Sequence, residues 1–458
     1  MRSAVRRTVI VVEREAGSAF VGGWQIDQAT SVPVGVVPYV KSREDVSVVL
    51  RSPELLLQGQ PIEFSGYSLY RALRTAEALD SRMADRPGGI RFSDLVASHP
   101  VLVSFPPDLT WLAHPDAVTK FGEGLKRVLP DSEMKSTPSD AEKITRNVQE
   151  QLLAHPQSYS FWKIATRKDP ETHIPLSRYL IEYTLTVASR AKARILAGMV
   201  PVIDVRTPNS VWLTHKFNLA FADVVADRVD EGIRAPVYLY TLPINPGVFE
   251  ADTPSEILSV VERNAQAALR SGLFEGIWVA IRGLPSISLS PGRVNSVMGF
   301  LRRLSEVAKA NSAALWWSRP GVMGLAGLDV GCAVTSFSFN LRVDDVYLGG
   351  RMGRDRSHSF GKVLNPVSRD YWEYRQLLRS LEAPEPGLPA LGTCRTVPDV
   401  LELQSPQHYR IQFSKPYNVA AMNWLCSEWK SHVRQGETSP GREYLQTFSA
   451  PTNQWGLR

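Results

Sequence analysis

Short apolar runs, each followed by a longer amphipathic pattern, recur along most of the chain. Eight of these runs predict β-strands, at 32–40, 61–64, 101–105, 200–205, 236–241, 276–281, 313–318 and 330–339. A further run at 8–12 is compatible with a lid, an edge strand or the true first strand. Because strands that are apolar on both faces need cover on both faces, this alternation predicts a parallel sheet wrapped in helices.

The later amphipathic segments are the clearest helices. Residues 218–230, 254–270 and 293–310 each place apolar side chains at i, i+3 and i+4. Eight strand–helix units predict an α/β fold, a (β/α)8 TIM-like barrel with a helical insertion and a small C-terminal helical subdomain. An open doubly wound sheet is the competing fold, but no GxGxxG follows the first strand to favour it.

Two regions interrupt the repeat. Residues from about 120 to 195 are too many for one crossover helix, and they predict a helical insertion that includes a long helix at 176–196. After residue 363 the pattern becomes helical and irregular, with a proline-rich break at 382–391. We therefore expect a barrel over 1–362, with the insertion at about 120–195, and an α-rich subdomain over 363–458.

Composition narrows the functional classes. The 458 residues are 43% hydrophobic and carry a formal net charge of +6, which describes an ordinary globular protein with a modest preference for polyanionic partners. The three cysteines lack CxxC spacing, so neither a thiolate zinc site nor a disulfide framework is expected, and no metal or cofactor is predicted. No apolar stretch reaches the roughly 18–20 residues of a membrane helix. The expected location is cytoplasmic, away from membranes.

The segment after the last predicted strand combines acids, glycines and arginines. Asp344 and Asp345 precede a Gly-Gly-Arg-Met-Gly-Arg-Asp-Arg run at 349–356. Glycines let a backbone approach a ligand closely, and arginine supplies forked donors that match phosphate oxygens. This pattern predicts a clamp for phosphate or nucleic acid. A solvated loop in which the arginines and aspartates neutralise one another is the alternative.

Polar residues cluster at the predicted C-terminal ends of the strands, where barrel enzymes carry their chemistry. Acids stand at two ends and arginines at three, so a shared pocket could bind an anion or a base. Beyond the 200–205 strand, His215 is a candidate proton carrier. The alternative is that it is an ordinary histidine at a helix start or on the surface.

Four segments resemble, in their order, motifs of the tRNA-guanine transglycosylase superfamily, which includes members that insert 7-deazaguanine bases into DNA. The segments are GQPIEFSGYSL at 59–69, PVIDV at 201–205, EGIWVAIRGL at 275–284 and GGRMGR at 349–354. The resemblance implies a (β/α)8 barrel that exchanges a purine base through a covalent aspartyl-glycosyl intermediate. It also implies DNA or tRNA, and a 7-deazaguanine-type base, as partners.

If the chain exchanges bases as the resemblance implies, the requirements of that reaction give particular residues a role. Asp344 or Asp345 would be the nucleophile, and Glu63 the general acid or base. The substrate-binding residues would be Ser65, Gly66, Asp204, Arg282, Gly283 and Ser338, and the nucleic-acid contacts Arg351, Arg354, Arg356 and Lys362. A base extruded from the helical stack would lie between aromatic side chains, with Tyr67, Trp317 and Phe337 as candidates.

The chain also departs from the family pattern. Phe64 stands where the first motif has Asp, and Glu63, one residue earlier, faces the opposite side of the strand. Ser338 occupies the nucleophile position, and the zinc motif of the family is missing. Two alternatives therefore stay open: an inactive barrel that binds nucleic acid or a protein partner, and an enzyme that holds a phosphorylated small molecule with Arg282, Arg319 and the glycine loop.

Overall fold

The central feature of the computed structural model is a closed barrel of parallel strands. The structure describes residues 23–27, 30–66, 90–105, 184–185, 188–189, 191–205, 210–230, 237–250, 255–281, 291–339, 360–367, 370–382, 388–389, 391 and 405–435. The barrel strands are β3 Gly35–Val40, β4 Ile62–Ser65, β5 Val101–Ser104, β6 Ile195–Ala197, β7 Val237–Ile244, β8 Gly276–Ile281, β9 Ala314–Ser318 and β10 Val334–Ser338.

These eight strands pair in chain order, and β10 returns to pair in parallel with β3. Closure leaves no free sheet edge in the barrel, and helices flank it, so the predicted (β/α)8 TIM-like fold is confirmed. Two antiparallel hairpins lie outside it, one formed by β1 Gly23–Asp27 with β2 Thr30–Pro33 and one by β11 Val363–Asn365 with β12 Asp370–Trp372.

Helices follow most of the described strands. They are α1 Arg43–Arg51, α2 Phe92–Ser98, α3 Ser210–Asp230, α4 Ser255–Arg270, α5 Pro291–Ala310, α6 Gly324–Asp329, α7 Tyr374–Glu382, α8 Pro406–Tyr409 and α9 Lys415–Gln435. Helix α1 begins with a reciprocal cap, in which Ser42 accepts from the Asp45 amide and Asp45 accepts from the Ser42 amide. Within the described residues, no helix is long and apolar enough to cross a membrane.

The fourth barrel strand is the main correction to the sequence prediction. It is Ile195–Ala197, which overlaps the end of the predicted helix 176–196, whereas the predicted strand at 200–205 makes only an isolated bridge between Ile203 and Ile244. The predicted strand at 32–40 is divided between β2 and β3, and the one at 330–339 is shorter, since helix α6 and a turn precede β10.

Side chains alternate between the barrel interior and the surrounding helices. The apolar side chains that fill the barrel interior are Val37, Leu102, Ile195, Ala197, Leu239, Trp278, Ala280, Ala314, Trp316 and Val334. Neighbouring positions on the same strands, such as Val36, Ile62 and Leu315, belong to the larger core between barrel and helices. This two-residue period assigns every other strand residue to the interior.

Helix α9 lies against the outside of the barrel where its first and last strands meet. Asn418 Nδ2 donates to the carbonyl of Phe339, one residue beyond β10, at 2.9 Å. Near the middle of the helix, Cys426 packs so closely on Gly35 that an added Cβ would lie 3.0 Å from its sulfur. The predicted boundary at residue 362 stays a prediction, but this helix packs directly on the barrel.

Candidate active site

The structure describes only part of the predicted site. Glu63, Ser65, Gly66, Asp204, Ser338 and Lys362 are among the described residues. The predicted nucleophiles and most predicted phosphate contacts lie outside them: Arg282, Gly283, Asp344, Asp345, Arg351, Arg354 and Arg356. The roles given to that second group stay predictions.

Glu63 is a completely buried carboxylate inside the barrel. The strand alternation directs Phe64 outward, where its ring packs edge-on against Phe92 at 5.9 Å between centroids. Glu63 therefore faces the interior, while Phe64, which takes the place of the family's aspartate, faces the helices.

Three side chains from the far wall of the barrel donate hydrogen bonds to Glu63. Its Oε1 accepts from Trp278 Nε1 at 3.2 Å and from Ser318 Oγ at 2.6 Å, and its Oε2 accepts from Trp316 Nε1 at 3.0 Å. These partners belong to β8 and β9, whereas Glu63 belongs to β4. The carboxylate is thus fixed across the interior, next to the C-terminal end of β9.

Arg319 follows β9 and is also buried, with 4% of its surface exposed. Its φ of 60° is left-handed, a conformation that costs a residue with a Cβ about 1–3 kcal/mol. The backbone N–H donates to Ser336 Oγ at 3.0 Å and Nε donates to Ser318 Oγ at 3.2 Å. The guanidinium carbon lies 4.9 Å from the ring centre of Tyr39 and 5.9 Å from that of Trp278.

The hydroxyl groups between Arg319 and Glu63 form a directed chain. Ser336 accepts from the Arg319 amide and so offers its own proton to Ser318 Oγ, at 3.4 Å. Ser318 in turn donates to Glu63. We call Glu63, Trp278, Trp316, Ser318, Arg319 and Ser336 the interior cluster. Every described hydrogen bond within this cluster is donated in the direction of the Glu63 carboxylate.

Small hydroxyl residues surround this cluster towards the barrel mouth, the C-terminal ends of the strands. Ser65, Ser104 and Ser338 end their strands and are buried. Ser338 pairs with Tyr39 on β3, and Tyr39 pairs with Glu63 on β4, so the three lie at one level of the sheet. Ser104 Oγ has no hydrogen-bond partner among the described residues. Such polar, small side chains differ from the branched apolar filling of most barrels.

Gly66 has a packing role. A Cβ at this position would collide with the ring of Phe105, so glycine lets that ring close against the end of β4. Phe105 directly follows β5, the strand that pairs with β4. The predicted substrate contact at Gly66 stays a prediction.

Asp204 lies in a separate polar arrangement beyond β6. Its Oδ2 accepts from Asn245 Nδ2 at 3.1 Å, and its backbone exchanges hydrogen bonds with the Ser210 hydroxyl at 3.2 and 3.0 Å. Asn245 also caps the short 3-10 helix Pro246–Phe249 through the Gly247 amide. These contacts brace the segment that leads into α3, and 8% of Asp204 is exposed.

Lys362 is on the surface. Its side chain is 44% exposed and forms an ion pair of 3.2 Å with Glu373, which is more exposed still. Its carbonyl accepts from Asn418 Nδ2 at 3.0 Å, which ties the segment to α9. The ammonium group is accessible to a phosphate, but it already has an acidic partner.

The predicted aromatic sandwich is wrong for two of its members. Trp317 and Phe337 belong to the core between the barrel and its helices, and they point away from the interior. Tyr39 and Trp278 are the aromatic rings beside Arg319 instead. The third predicted aromatic, Tyr67, lies outside the described residues.

His215 also points away from the barrel interior. Its Nδ1 is 2.9 Å from the hydroxyl of Tyr240, a residue of the outer core beneath α3. Burial lowers the pKa of His215 below its ordinary value, which favours the neutral imidazole. His215 therefore packs beneath its own helix and does not donate a proton to the interior cluster.

The sequence prediction missed the partners of Glu63. Trp278, Trp316 and Ser318 were not predicted, and Arg319 appeared only as part of a possible phosphate cup. The alternation in GIWVAI and ALWWS carries a signal, because it puts Trp278, Trp316 and Ser318 on the interior face. Among the described residues, no group of three metal-ligating side chains is found.

Comparison with known proteins adds little to this geometry. No family model matches the chain, and no curated protein does. A chain described as a sporulation-specific glycosylase of Bacillus subtilis is 13% identical over 25% of this chain and 41% of its own length, with a TM-score of 0.18. A chain described as a fructose-1,6-biphosphate aldolase of Coccidioides immitis is 9% identical over 86% of this chain and 88% of its own, with a TM-score of 0.31. This chain thus spans about two fifths of the first protein, and at these scores neither likeness bears on function.

Proposed function

We propose that this chain is a base-exchange enzyme of the transglycosylase type, which replaces guanine in a nucleic acid with a 7-deazaguanine-type base. The observation that carries the proposal is the position of Glu63. Its carboxylate lies inside the barrel, bound to Ser318 at the end of β9, on the side where (β/α)8 enzymes carry out their chemistry. The order of the sequence motifs supports the same reaction.

The reaction needs two carboxyl groups with different tasks. Asp344 or Asp345 would attack C1′ of the sugar as the bond from C1′ to the purine nitrogen breaks. Glu63 enters this half of the reaction protonated. The leaving guanine keeps the electron pair of that bond and takes this proton, which leaves Glu63 as the carboxylate. In the second half, the incoming base returns a proton to Glu63, its nitrogen attacks C1′, and the aspartate carboxylate leaves.

The hydrogen bonds of Glu63 suggest the route of that proton. Indole N–H groups only donate, so Trp278 and Trp316 cannot accept a proton from a protonated Glu63. A serine hydroxyl both donates and accepts, and Ser318 is 2.6 Å from the carboxylate. Ser318 is therefore the described partner that can reverse its hydrogen bond when Glu63 takes up a proton.

Incorporation of a labelled 7-deazaguanine-type base tests the reaction. The purified chain is incubated with duplex DNA or with tRNA, and label in the polymer is counted. We expect incorporation into one of the two, and a loss of about 10²–10⁴-fold in Glu63→Gln, as for removal of a general acid or base. Asp344→Ala and Asp345→Ala identify the nucleophile, and Arg303→Gln, at an exposed position, is the matched control.

Two results would refute the proposal. One is the absence of incorporation into either polymer by the folded wild-type chain. The other is incorporation that persists undiminished in Glu63→Gln, because the proton transfer would then not involve the interior cluster. Ser318→Ala should also reduce incorporation. The loss should be smaller than in Glu63→Gln, because a water molecule can take the place of the hydroxyl.

A second candidate is a barrel that binds nucleic acid without chemistry. The observation in its favour is that both oxygens of Glu63 already accept hydrogen bonds from the protein. This candidate expects no incorporation but retention of nucleic acid that weakens steeply with salt. The retention should fall in Arg351→Ala and Arg354→Ala, which leave the interior cluster intact.

A further inference from the structure

We infer that Arg319 forms an oxyanion subsite inside the barrel mouth, which takes the carboxylate or phosphate group of a small-molecule ligand. The inference goes beyond base exchange, because binding of an oxyanion requires no proton transfer at Glu63. It depends on the position of one guanidinium, on the donors that it leaves unused and on the rings that flank it.

Arg319 is buried without an ion pair among the described residues. Nearly all of its surface is covered, yet its described polar contacts are to Ser318 and Ser336. Glu63 balances its charge only through the Ser318 hydroxyl, which bridges the two groups. A buried charge is normally paired directly with an opposite charge, because its removal from water is otherwise costly.

One edge of the Arg319 guanidinium makes no hydrogen bond to the described residues. Nε donates to Ser318, whereas Nη1 and Nη2 have no acceptor among the described residues. The two Nη groups form a planar fork that fits two oxygens of a carboxylate or phosphate. Both Nη groups can therefore donate to an acceptor that enters from outside, and a ligand oxyanion is the partner that the fork fits.

Two aromatic rings flank the guanidinium of Arg319. Its carbon lies 4.9 Å from the ring centre of Tyr39 and 5.9 Å from that of Trp278. An oxyanion fits the Nη edge best, because two N–H donors lie there in the plane of the group. Arg319 also has a left-handed φ of 60°, directly after the end of β9. Such strain at a barrel mouth points to a binding role.

Thermal unfolding of the full chain with inorganic phosphate and, separately, acetate tests the site. We expect a saturable rise in Tm of roughly 2–4 °C over chloride at the same ionic strength. Arg319→Gln should abolish the rise. Arg319→Lys keeps the charge but loses the fork, and should weaken binding about tenfold to hundredfold. Arg303→Gln, at an exposed arginine, should respond as wild type does.

Modification by phenylglyoxal keeps the test independent of how the variants fold. In the wild-type chain, phosphate or acetate should slow the modification of Arg319 and leave that of exposed Arg303 unchanged, as measured by peptide mass. Protection by acetate alone assigns a carboxylate ligand, and protection by phosphate alone assigns a phosphate ligand.

The inference is overturned if neither anion protects Arg319 or if Arg319→Gln keeps the full rise in Tm. These readouts do not require incorporation of a base. A chain that binds phosphate at Arg319 but exchanges no base would refute the proposed function alone, and a chain that exchanges a base without anion binding would refute this inference alone.

Discussion

Two buried charged clusters in this protein use their charges in different ways. One is the interior cluster, and the other is an outer ion cluster of Glu44, Asp45, Arg410 and Lys415, where the start of α1 meets the start of α9. In the outer ion cluster every acid has a cation within ion-pair distance. In the interior cluster the acid and the cation are joined only through a hydroxyl.

The outer ion cluster is saturated. Lys415 is 1% exposed and contacts Asp45 at 2.7 Å and Glu44 at 2.9 Å, while Arg410 Nη2 contacts Glu44 at 2.9 Å. Burial raises the pKa of Glu44, but the hydrogen bond from Arg410 and the charge of Lys415 outweigh it and lower the pKa to about 2. Burial lowers the pKa of Lys415, and attraction to Asp45 and Glu44 raises it overall.

The interior cluster is unsaturated by comparison. Its acid accepts from donors that carry no charge, and its cation leaves the Nη edge without a described acceptor. A set of charges that satisfies itself joins two parts of a fold, whereas a set that leaves donors open towards a cavity or mouth is suited to a ligand.

Removing the buried cation of the outer ion cluster should have the largest effect on stability. Lys415→Met leaves Asp45 and Glu44 with one cation between them, and we expect unfolding to become easier by about 3–5 kcal/mol. Urea unfolding followed by circular dichroism measures the change. The control Lys362→Met breaks an exposed pair, and it should cost about 0–1 kcal/mol. Equal losses in the two variants would contradict a structural role for the outer ion cluster.

Neutralising the acid of the interior cluster should cost less. Glu63→Gln puts an amide N–H₂ opposite donor-only indoles, so one buried donor loses its acceptor, and we expect a loss of about 1–3 kcal/mol in the same assay. Glu262→Gln, in an exposed pair with Arg303, is the matched control and should change stability by under about 1 kcal/mol. Full stability in Glu63→Gln would mean that the indoles do not hold the carboxylate.

The outer ion cluster should also make stability sensitive to acid. Because the folded pKa of Glu44 is lowered from 4.5 to about 2, the folded state binds fewer protons than the unfolded state between these values. Its contribution is therefore complete above pH 4.5 and is lost as the pH falls to about 2. Urea midpoints across this window should fall in wild type and fall less in Glu44→Gln. The same slope in both would place the acid sensitivity elsewhere.

A smaller pH effect should come from His215, which belongs to neither cluster. Its folded pKa is below 6.5, so the unfolded state binds more protons as the pH falls through that value, and stability decreases. His215→Gln should remove this slope between pH 7 and 5.5, roughly the range in which an unperturbed histidine titrates. A slope that survives in the variant would assign the effect to another group.

Much of the barrel could be predicted from the sequence because its strands are apolar runs with clear boundaries. Strand β8 matches its prediction throughout, at Gly276–Ile281. Strand β6 could not be predicted, because Ile195–Ala197 is only three residues long and follows a helical pattern. The longer run at 200–205 has the composition of a strand, but its backbone makes only the bridge from Ile203 to Ile244. Composition cannot distinguish an apolar strand from an apolar segment that packs beside one.

The site was less accessible to sequence analysis. Glu63 was a candidate, but its partners lie 215 and 253 residues away, at Trp278 and Trp316. Strand alternation gives the face of a residue and not the residue opposite it, because the tilt and stagger of the strands decide which side chains meet. For the same reason, Arg319 could be placed at a strand end, but its contact with Tyr39 could not be predicted.

The position of α9 has a consequence for biosynthesis. Asn418 binds the carbonyl that follows β10, Asn423 accepts from Gln60 at 2.9 Å, and Cys426 packs on Gly35. All eight barrel strands leave the ribosome before this helix does, so the junction of β3 with β10 stays uncovered while the nascent chain is extended. Exposed apolar surface of this kind attracts chaperones and neighbouring chains. The junction of β3 with β10 is therefore covered only after residues 415–435 have been synthesised.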